Sequence, residues 1–247
     1  MARSFVTPAN NMPVQAPLIP DPFVPYHCPG NRSVYAVCRG DEASLRAILE
    51  PTPFDFVDDR FVVSVTDFSN CDKVPFFDAA IVLPVRYGDM VGGHYIFEYE
   101  DDDRAIAAGR DLWGYPKKYA AISLERHDDL VRGTAVRHGA TVIDIEVPLE
   151  YGAKAPAKPT VVPHLNIRSV PAPDGPGTSL RQVIARDTSP DFVLSEELFG
   201  RAKVSLYAIP GCPLDIFKPV QVLGGGFITG DFHATEENGW GRVVATL

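Results

Sequence analysis

Gly109-Arg110-Asp111-Leu112-Trp113-Gly114-Tyr115-Pro116-Lys117-Lys118 sets two adjacent lysines behind a proline, at the end of an apolar and aromatic stretch. A neutral lysine amine adds to a ketone and loses water to give an iminium ion. The iminium then accepts the electrons released when a neighbouring C–C or C–H bond breaks. An ordinary lysine has a pKa of about 10.4, so supplying a neutral amine near pH 7 takes about 4–5 kcal/mol of cation destabilisation. Apolar burial or a second cation provides such a shift. The segment offers Leu112, Trp113 and Tyr115 for the first and Lys118 for the second. A Lys-Lys pair alone is more commonly a solvated surface patch, so its surroundings decide the reading.

Local chemistry separates the two lysines. Pro116 biases Tyr115 toward an extended conformation, and strand-like Tyr119-Ala120-Ala121-Ile122 follows. Successive side chains of an extended segment point to opposite faces, so only one of the pair faces a pocket. Upstream, Asp102 or Asp103 starts a helix that runs through Ala105 to Gly109 and leads into the lysine loop. Asp41 caps a second helix carrying Leu45, Ile48 and Leu49, which Pro51 and Pro53 terminate. The remainder reads as short strands at 34–39, 60–66, 79–87, 94–99, 119–125, 130–137, 141–149, 164–170, 180–187, 202–207, 216–223 and 227–232. Turn chemistry such as His127-Asp128-Asp129 and His138-Gly139-Ala140 separates them. This pattern predicts an α+β, β-rich fold whose antiparallel sheets close into a barrel with a few short helices. The proline-rich residues 1–29 are expected to form an extended arm, and 30–247 a single domain.

With 247 residues the chain is long enough for a sizeable core. A net charge of −9 argues against a nucleic-acid partner. No run approaches the length of a membrane-spanning helix and the N-terminus has no hydrophobic signal core, so a cytoplasmic protein is expected. Cys28, Cys38, Cys71 and Cys212 are widely spread, without Cys-x-x-Cys spacing, and read as buried thiols in a reducing compartment. The six histidines lack metal-ligand spacing, so no metal site is expected. Gly224-Gly225-Gly226 reads as a bend between two strands, and Tyr95, Phe97 and Tyr99 as one core-facing row.

The lysine segment resembles the active-site motif of the acetoacetate decarboxylase family, which runs Gly-Arg-Glu-Leu, two variable residues, an aromatic, Pro, Lys, Lys. The likeness continues in order through Asn31-Arg32, Leu45-Arg46, Leu83-Pro84-Val85, Asp174-Gly175 and the stretch from Leu206 to Asp215, covering nearly all the chain from Phe23 onward. The resemblance implies that Lys117 is the Schiff-base nucleophile and that Lys118 is its neighbouring cation. It further implies that Asp78, standing where the family usually has glutamate, manages protons in the pocket, and that Arg32 binds the substrate carboxylate. It implies a barrel-containing domain in a homo-oligomer, acting on a small keto acid without a cofactor. One departure is evident. Typical members carry a second glutamate on the strand corresponding to Arg60-Phe61-Val62-Val63-Ser64-Val65, and valines stand there. A less acidic pocket and weaker decarboxylation of acetoacetate are therefore expected. The same iminium would also serve an aldolase–dehydratase that condenses pyruvate with an aldehyde, and a lipocalin-like binding barrel is the non-catalytic alternative.

Overall fold

A computed structural model of the chain describes residues 10–217, 219 and 221–247. The strands are β1 (Tyr26–Arg39), β2 (Asp55–Phe56), β3 (Arg60–Phe68), β4 (Phe76–Tyr87), β5 (Met90–Glu100), β6 (Lys117–Tyr119), β7 (Ala121–His127) and β8 (Leu130–Arg137). They continue as β9 (Ala140–Pro148), β10 (His164–Pro171), β11 (Thr178–Arg186), β12 (Val193–Gly200), β13 (Lys203–Leu206), β14 (Gln221–Ala234) and β15 (Arg242–Thr246). The helix expected after Asp41 is α1 (Glu42–Leu49), and the Asp41 side chain accepts from the Ser44 amide at 2.9 Å. The helix expected before the lysines is α2 (Asp103–Ala108), continued by a π-helical turn over Gly109–Trp113.

The strands form two sheets. The larger runs β12-β14-β1-β3-β4-β5-β10-β11-β15, with β2 added on β4 and β6 on β5; the smaller runs β13-β9-β8-β7. Among the described residues neither path returns on itself, so the expected closure into a barrel is not found. The large sheet ends instead on β12, whose first half is exposed, and on β15. Its two faces are covered separately. Val34, Val63, Val65, Ala79 and Ile81 point to one face and bury against Val131, Ala135, Ile143 and Ile145 of the small sheet. The alternate residues point to the other face, which is covered by Ala105 and Ala108 of α2, by Trp113, and by Ile19, Phe23 and Val24 from the N-terminal segment. Each aliphatic side chain buried in this way contributes about 1.5–3 kcal/mol.

The strand expected at 216–223 is instead a 3-10 turn over Leu214–Phe217 followed by the start of β14 at Gln221, and further details differ from the sequence reading for physical reasons. Residues 26–29, assigned above to the arm, form the start of β1, and the preceding segment is anchored by Phe23, whose ring meets Trp113 edge-on at 5.8 Å. Residues 1–9 of that arm lie outside the described residues. The glycine run does not join two strands: β14 continues through it, with a bulge between Val222 and Gly224. A Cβ at Gly225 would sit 2.5 Å from the Tyr35 carbonyl oxygen, and one at Gly226 would sit 2.8 Å from that of Leu198, so close neighbouring strands require glycine there. Finally, a bulge in the β4–β5 ladder between Ile81 and Val82 removes Tyr95 from the Phe97–Tyr99 face and turns it to the opposite one.

Gly133 on β8 lies at a close approach of the two sheets, since a Cβ there would stand 2.7 Å from Val65 Cβ and 2.8 Å from Val34 Cγ1. Gly133→Ala should therefore destabilise the fold by about 1–3 kcal/mol through overpacking. Urea denaturation measures this, and an unchanged midpoint would show that the two sheets are not in contact at that point.

Candidate active site

The site lies on the second face of the large sheet, where β4, β5 and β6 meet. Asp102 caps α2 by accepting from the amides of Arg104 at 2.9 Å and Ala105 at 3.4 Å. The helix then widens to its π-turn and stops at Gly114, which has φ +73. A side chain at Gly114 would strike the backbone of Ile167 and Arg168, so this stop also docks the turn on β10. Tyr115 and Pro116 lead into β6, which pairs in parallel with β5 in the register Glu98↔Lys117, Tyr99↔Lys118 and Glu100↔Tyr119. In the neighbouring ladder Asp78 is opposite Glu100. This register puts Lys117, Glu98, Glu100 and Asp78 on one sheet face.

Lys117 is buried, with 8% of its surface exposed. Its ammonium donates to Glu100 Oε1 and stands 3.6 Å from Glu98 Oε1. The Phe76 and Tyr115 rings flank it at 5.5 and 5.2 Å. Oxygens of Asp78, Glu98 and Glu100 lie within 4.8 Å of one another. Such a donor set suits a hard cation, but the Lys117 ammonium already brings the positive charge into it. Glu98 Oε2 and Glu100 Oε2 are buried without a hydrogen-bond partner.

The pKa values follow from this crowding. Burial lifts all three carboxyls against the downward pull of Lys117: Glu100 to about 8, Glu98 well above its ordinary range, and Asp78 upward as well. The charge of the neighbouring Asp78 further favours the proton on Glu98. For Lys117, burial favours the neutral amine, but Glu100, Glu98 and Asp78 together outweigh it and hold the pKa above the ordinary value. The lowered lysine pKa expected from apolar neighbours is thus reversed. The cavity nevertheless carries three carboxyl groups. The β3 valines Val63 and Val65 point into the core, Ser64 and Thr66 line the cavity, and the acidic groups come from β5.

The other sequence candidates fall elsewhere. Lys118 points to the opposite face, where its ammonium donates to the Gly211 carbonyl at 2.8 Å and lies 5.9 Å from the Phe97 ring. Arg32 pairs with Asp67, its Nε donating at 3.1 Å, with 44% of its side chain exposed, and it does not line the cavity around Lys117. Asp78 does line it. That cavity, of about 120 Å³, also includes Tyr26, Tyr95, Tyr115, His164 and Arg186. Burial pushes His164 down to about 3, leaving it neutral, and it accepts from or donates to the Tyr115 hydroxyl at 2.7 Å. Glu98, Glu100, His164 and Arg186 escaped the sequence reading. For the glutamates there was a signal: two acidic residues at alternate positions of an otherwise apolar, aromatic strand put like charges on one buried face.

The acetoacetate decarboxylase family model matches residues 11–242. The acetoacetate decarboxylase of Burkholderia vietnamiensis is 33% identical over 126 residues, covering 50% of this chain and 49% of that protein. The one from Paraburkholderia phytofirmans is 33% identical over 135 residues, covering 53% and 52%. The chain thus spans about half the length of the curated relatives it matches. Among solved structures, an acetoacetate decarboxylase superposes with a TM-score of 0.85 at 20% identity, covering 100% of this chain and 99% of the other. The enduracididine biosynthesis enzyme MppR, complexed with pyruvate, superposes with a TM-score of 0.74 at 17% identity, covering 97% and 99%.

Two substitutions probe this geometry. A Cβ at Gly109 would overlap Lys117 Cδ and Cε, so Gly109→Ala must displace the lysine side chain. The fold should persist, because the displaced atoms belong to a flexible chain, while ketone-dependent borohydride labelling of the amine should fall by about 100-fold. Equal labelling would show that Lys117 is not the reactive amine. Glu100→Gln removes the carboxylate nearest the ammonium, so the Lys117 pKa should fall and labelling should begin about 1–3 pH units lower. An onset that moves upward would contradict the charge balance described here.

Proposed function

The chain belongs to the acetoacetate decarboxylase family, and we propose that it is a carbon–carbon lyase that decarboxylates a small β-keto acid through an iminium formed on Lys117. The observation that carries this reading is the buried amine in direct hydrogen bond with one of three carboxyl groups that burial has made better proton acceptors. Glu100 takes the proton of the Lys117 ammonium when substrate displaces what water the cavity holds, and burial, which disfavours both charges of the pair, lowers the cost of that transfer. The neutral amine adds to the ketone, and loss of water gives the iminium. The bond between the α-carbon and the carboxylate breaks, carbon dioxide leaves, and its electron pair moves through the α-carbon to the iminium nitrogen. Glu98, whose carboxyl burial holds protonated well above the ordinary range, supplies the proton that the resulting enamine needs at carbon. Water then hydrolyses the new iminium and returns the amine. The carboxyl cluster has a second effect, since a substrate carboxylate placed beside it is disfavoured and its loss as neutral carbon dioxide relieves that.

The same iminium would serve condensation of pyruvate with an aldehyde. A protein of this fold is known complexed with the condensation product of pyruvate and imidazole 4-carboxaldehyde. A non-catalytic carrier on this fold has no use for the lysine.

Incubation with acetoacetate and borohydride should label the protein once, at Lys117, and carbon dioxide should be released in the absence of borohydride. Lys117→Arg should abolish both while leaving the fold intact, because arginine keeps the charge but does not deprotonate. Labelling that persists in this variant would sink the assignment. A condensation product from pyruvate plus an aldehyde, with no carbon dioxide from any β-keto acid, would establish the second reading.

A further inference from the structure

The cavity holds a cation that the reaction above leaves unused. Arg186 closes β11, in register with His164 on β10, and is 7% exposed. Its Nε donates to the Gly239 carbonyl at 2.7 Å and one terminal nitrogen donates to the Tyr26 hydroxyl at 2.9 Å. The guanidinium also lies 3.9 Å from the Trp113 ring. All of these partners are neutral. Among the described residues no carboxylate forms an ion pair with Arg186. Arg32, Arg39, Arg60, Arg104, Arg126 and Arg132, all more exposed, each have one. A buried guanidinium without an anion is costly, and this one lines the cavity of Lys117. It is also held rigidly, by two hydrogen bonds and an aromatic face, which is the setting in which an arginine fork recognises a carboxylate with least loss of freedom.

The placement of the charges fixes which carboxylate this is. Lys117 is paired with the carboxyl cluster carried on β4 and β5, whereas Arg186, on β11, is set against Gly239, Tyr26 and Trp113. A carboxylate that departs is helped by the acidic cluster, whereas one gripped by Arg186 is stabilised in the ground state and gains nothing toward leaving. We propose that Arg186 binds a second carboxylate that the reaction retains, so that the preferred substrate is a β-keto dicarboxylate. This rests on the lyase reading above. The carboxylate on the acidic side is lost as carbon dioxide, its electron pair moving to the iminium, and the one on Arg186 stays on the ketone product.

The test compares 3-oxoadipate with 3-oxohexanoate in carbon dioxide release, and levulinate with 2-pentanone in calorimetric binding; in each pair a methyl group replaces the carboxylate assigned to Arg186. The wild type should favour 3-oxoadipate in kcat/KM and bind levulinate more tightly than 2-pentanone. Arg186→Met should erase both preferences, by about 10–100-fold, the scale of a charge-assisted pair. Arg186→Lys, which keeps the charge and loses the fork, guards against a folding defect and should retain part of the preference. A wild type that does not discriminate within either pair would overturn the proposal, as would an Arg186→Met variant that is folded and keeps both preferences. If levulinate binding depends on Arg186 but borohydride traps no imine, the lyase reading fails and the carboxylate site stands.

Discussion

The hydrogen bond from the Lys117 ammonium to Glu100 is the constraint around which the rest of this molecule is arranged. Three carboxyl groups confined within 4.8 Å and buried on a sheet face repel one another and lose hydration at the same time. An interior of this kind is tolerated only where a cation is delivered among the acids and where the surrounding scaffold is too well packed to relax. The scaffold is the opposite face of the same strands. Ala79 and Ile81 of β4 and Tyr99 of β5 are fully buried against the small sheet, so neither strand can rotate to release Asp78, Glu98 or Glu100 to water. The cation arrives on β6, the short strand whose register on β5 is one residue away from presenting Lys118 instead.

That register depends on how the chain enters β6. A regular helix ending would carry the chain past the sheet edge at a different angle. The π-turn, a form that recurs at functional sites, takes up an extra residue before Gly114 reverses the chain. Arg110 then donates to the Lys117 carbonyl at 3.1 Å and holds the incoming strand. Gly109 is required for another reason: its backbone conformation suits any residue, but the Lys117 methylenes lie where its Cβ would be. The two glycines of the segment therefore serve different needs, one a left-handed backbone and the other the space for a side chain.

Much of this was legible in the sequence. The Asp41 cap, the short helix before the lysines, the proline and the alternation after it were read from local chemistry, which is decided within a few residues. What was not legible depended on pairing. Arg186 reaches the cavity because β11 pairs with β10 and β10 with β5, a relation across which no sequence pattern runs. Arg32 looked suited to a carboxylate, and Asp67 across the β1–β3 ladder claims it. The acidic pair on β5 was hidden by its aromatic neighbours, and attention to the valines of β3 put the missing charge on the wrong strand. The strand β12 escaped because it is an edge strand, mostly exposed over Val193–Gly200, and so carries no buried-face alternation. Barrel closure is likewise a matter of whether the edge strands meet, and strand periodicity is silent on that.

The cavity is electrically polar in a protein of net charge −9. One wall carries Lys117 with the acids; the other carries Arg186, bound to neutral groups alone. Between them His164 is held neutral by burial and by the neighbouring Arg186, so it screens neither side as a charge and serves instead to fix the hydroxyls of Tyr115 and Tyr95. A carboxylate in this space is favoured beside Arg186 and disfavoured beside Glu98 and Glu100, so a keto dicarboxylate has one preferred direction, with the retained carboxylate on Arg186 and the departing one toward the acids. Orientation is thereby set before any covalent bond forms, by buried charged groups carried on β4, β5 and β6 and on β11. The cost of leaving Arg186 without a carboxylate of its own is then understandable as a property of the empty cavity, one that a substrate anion removes on entering.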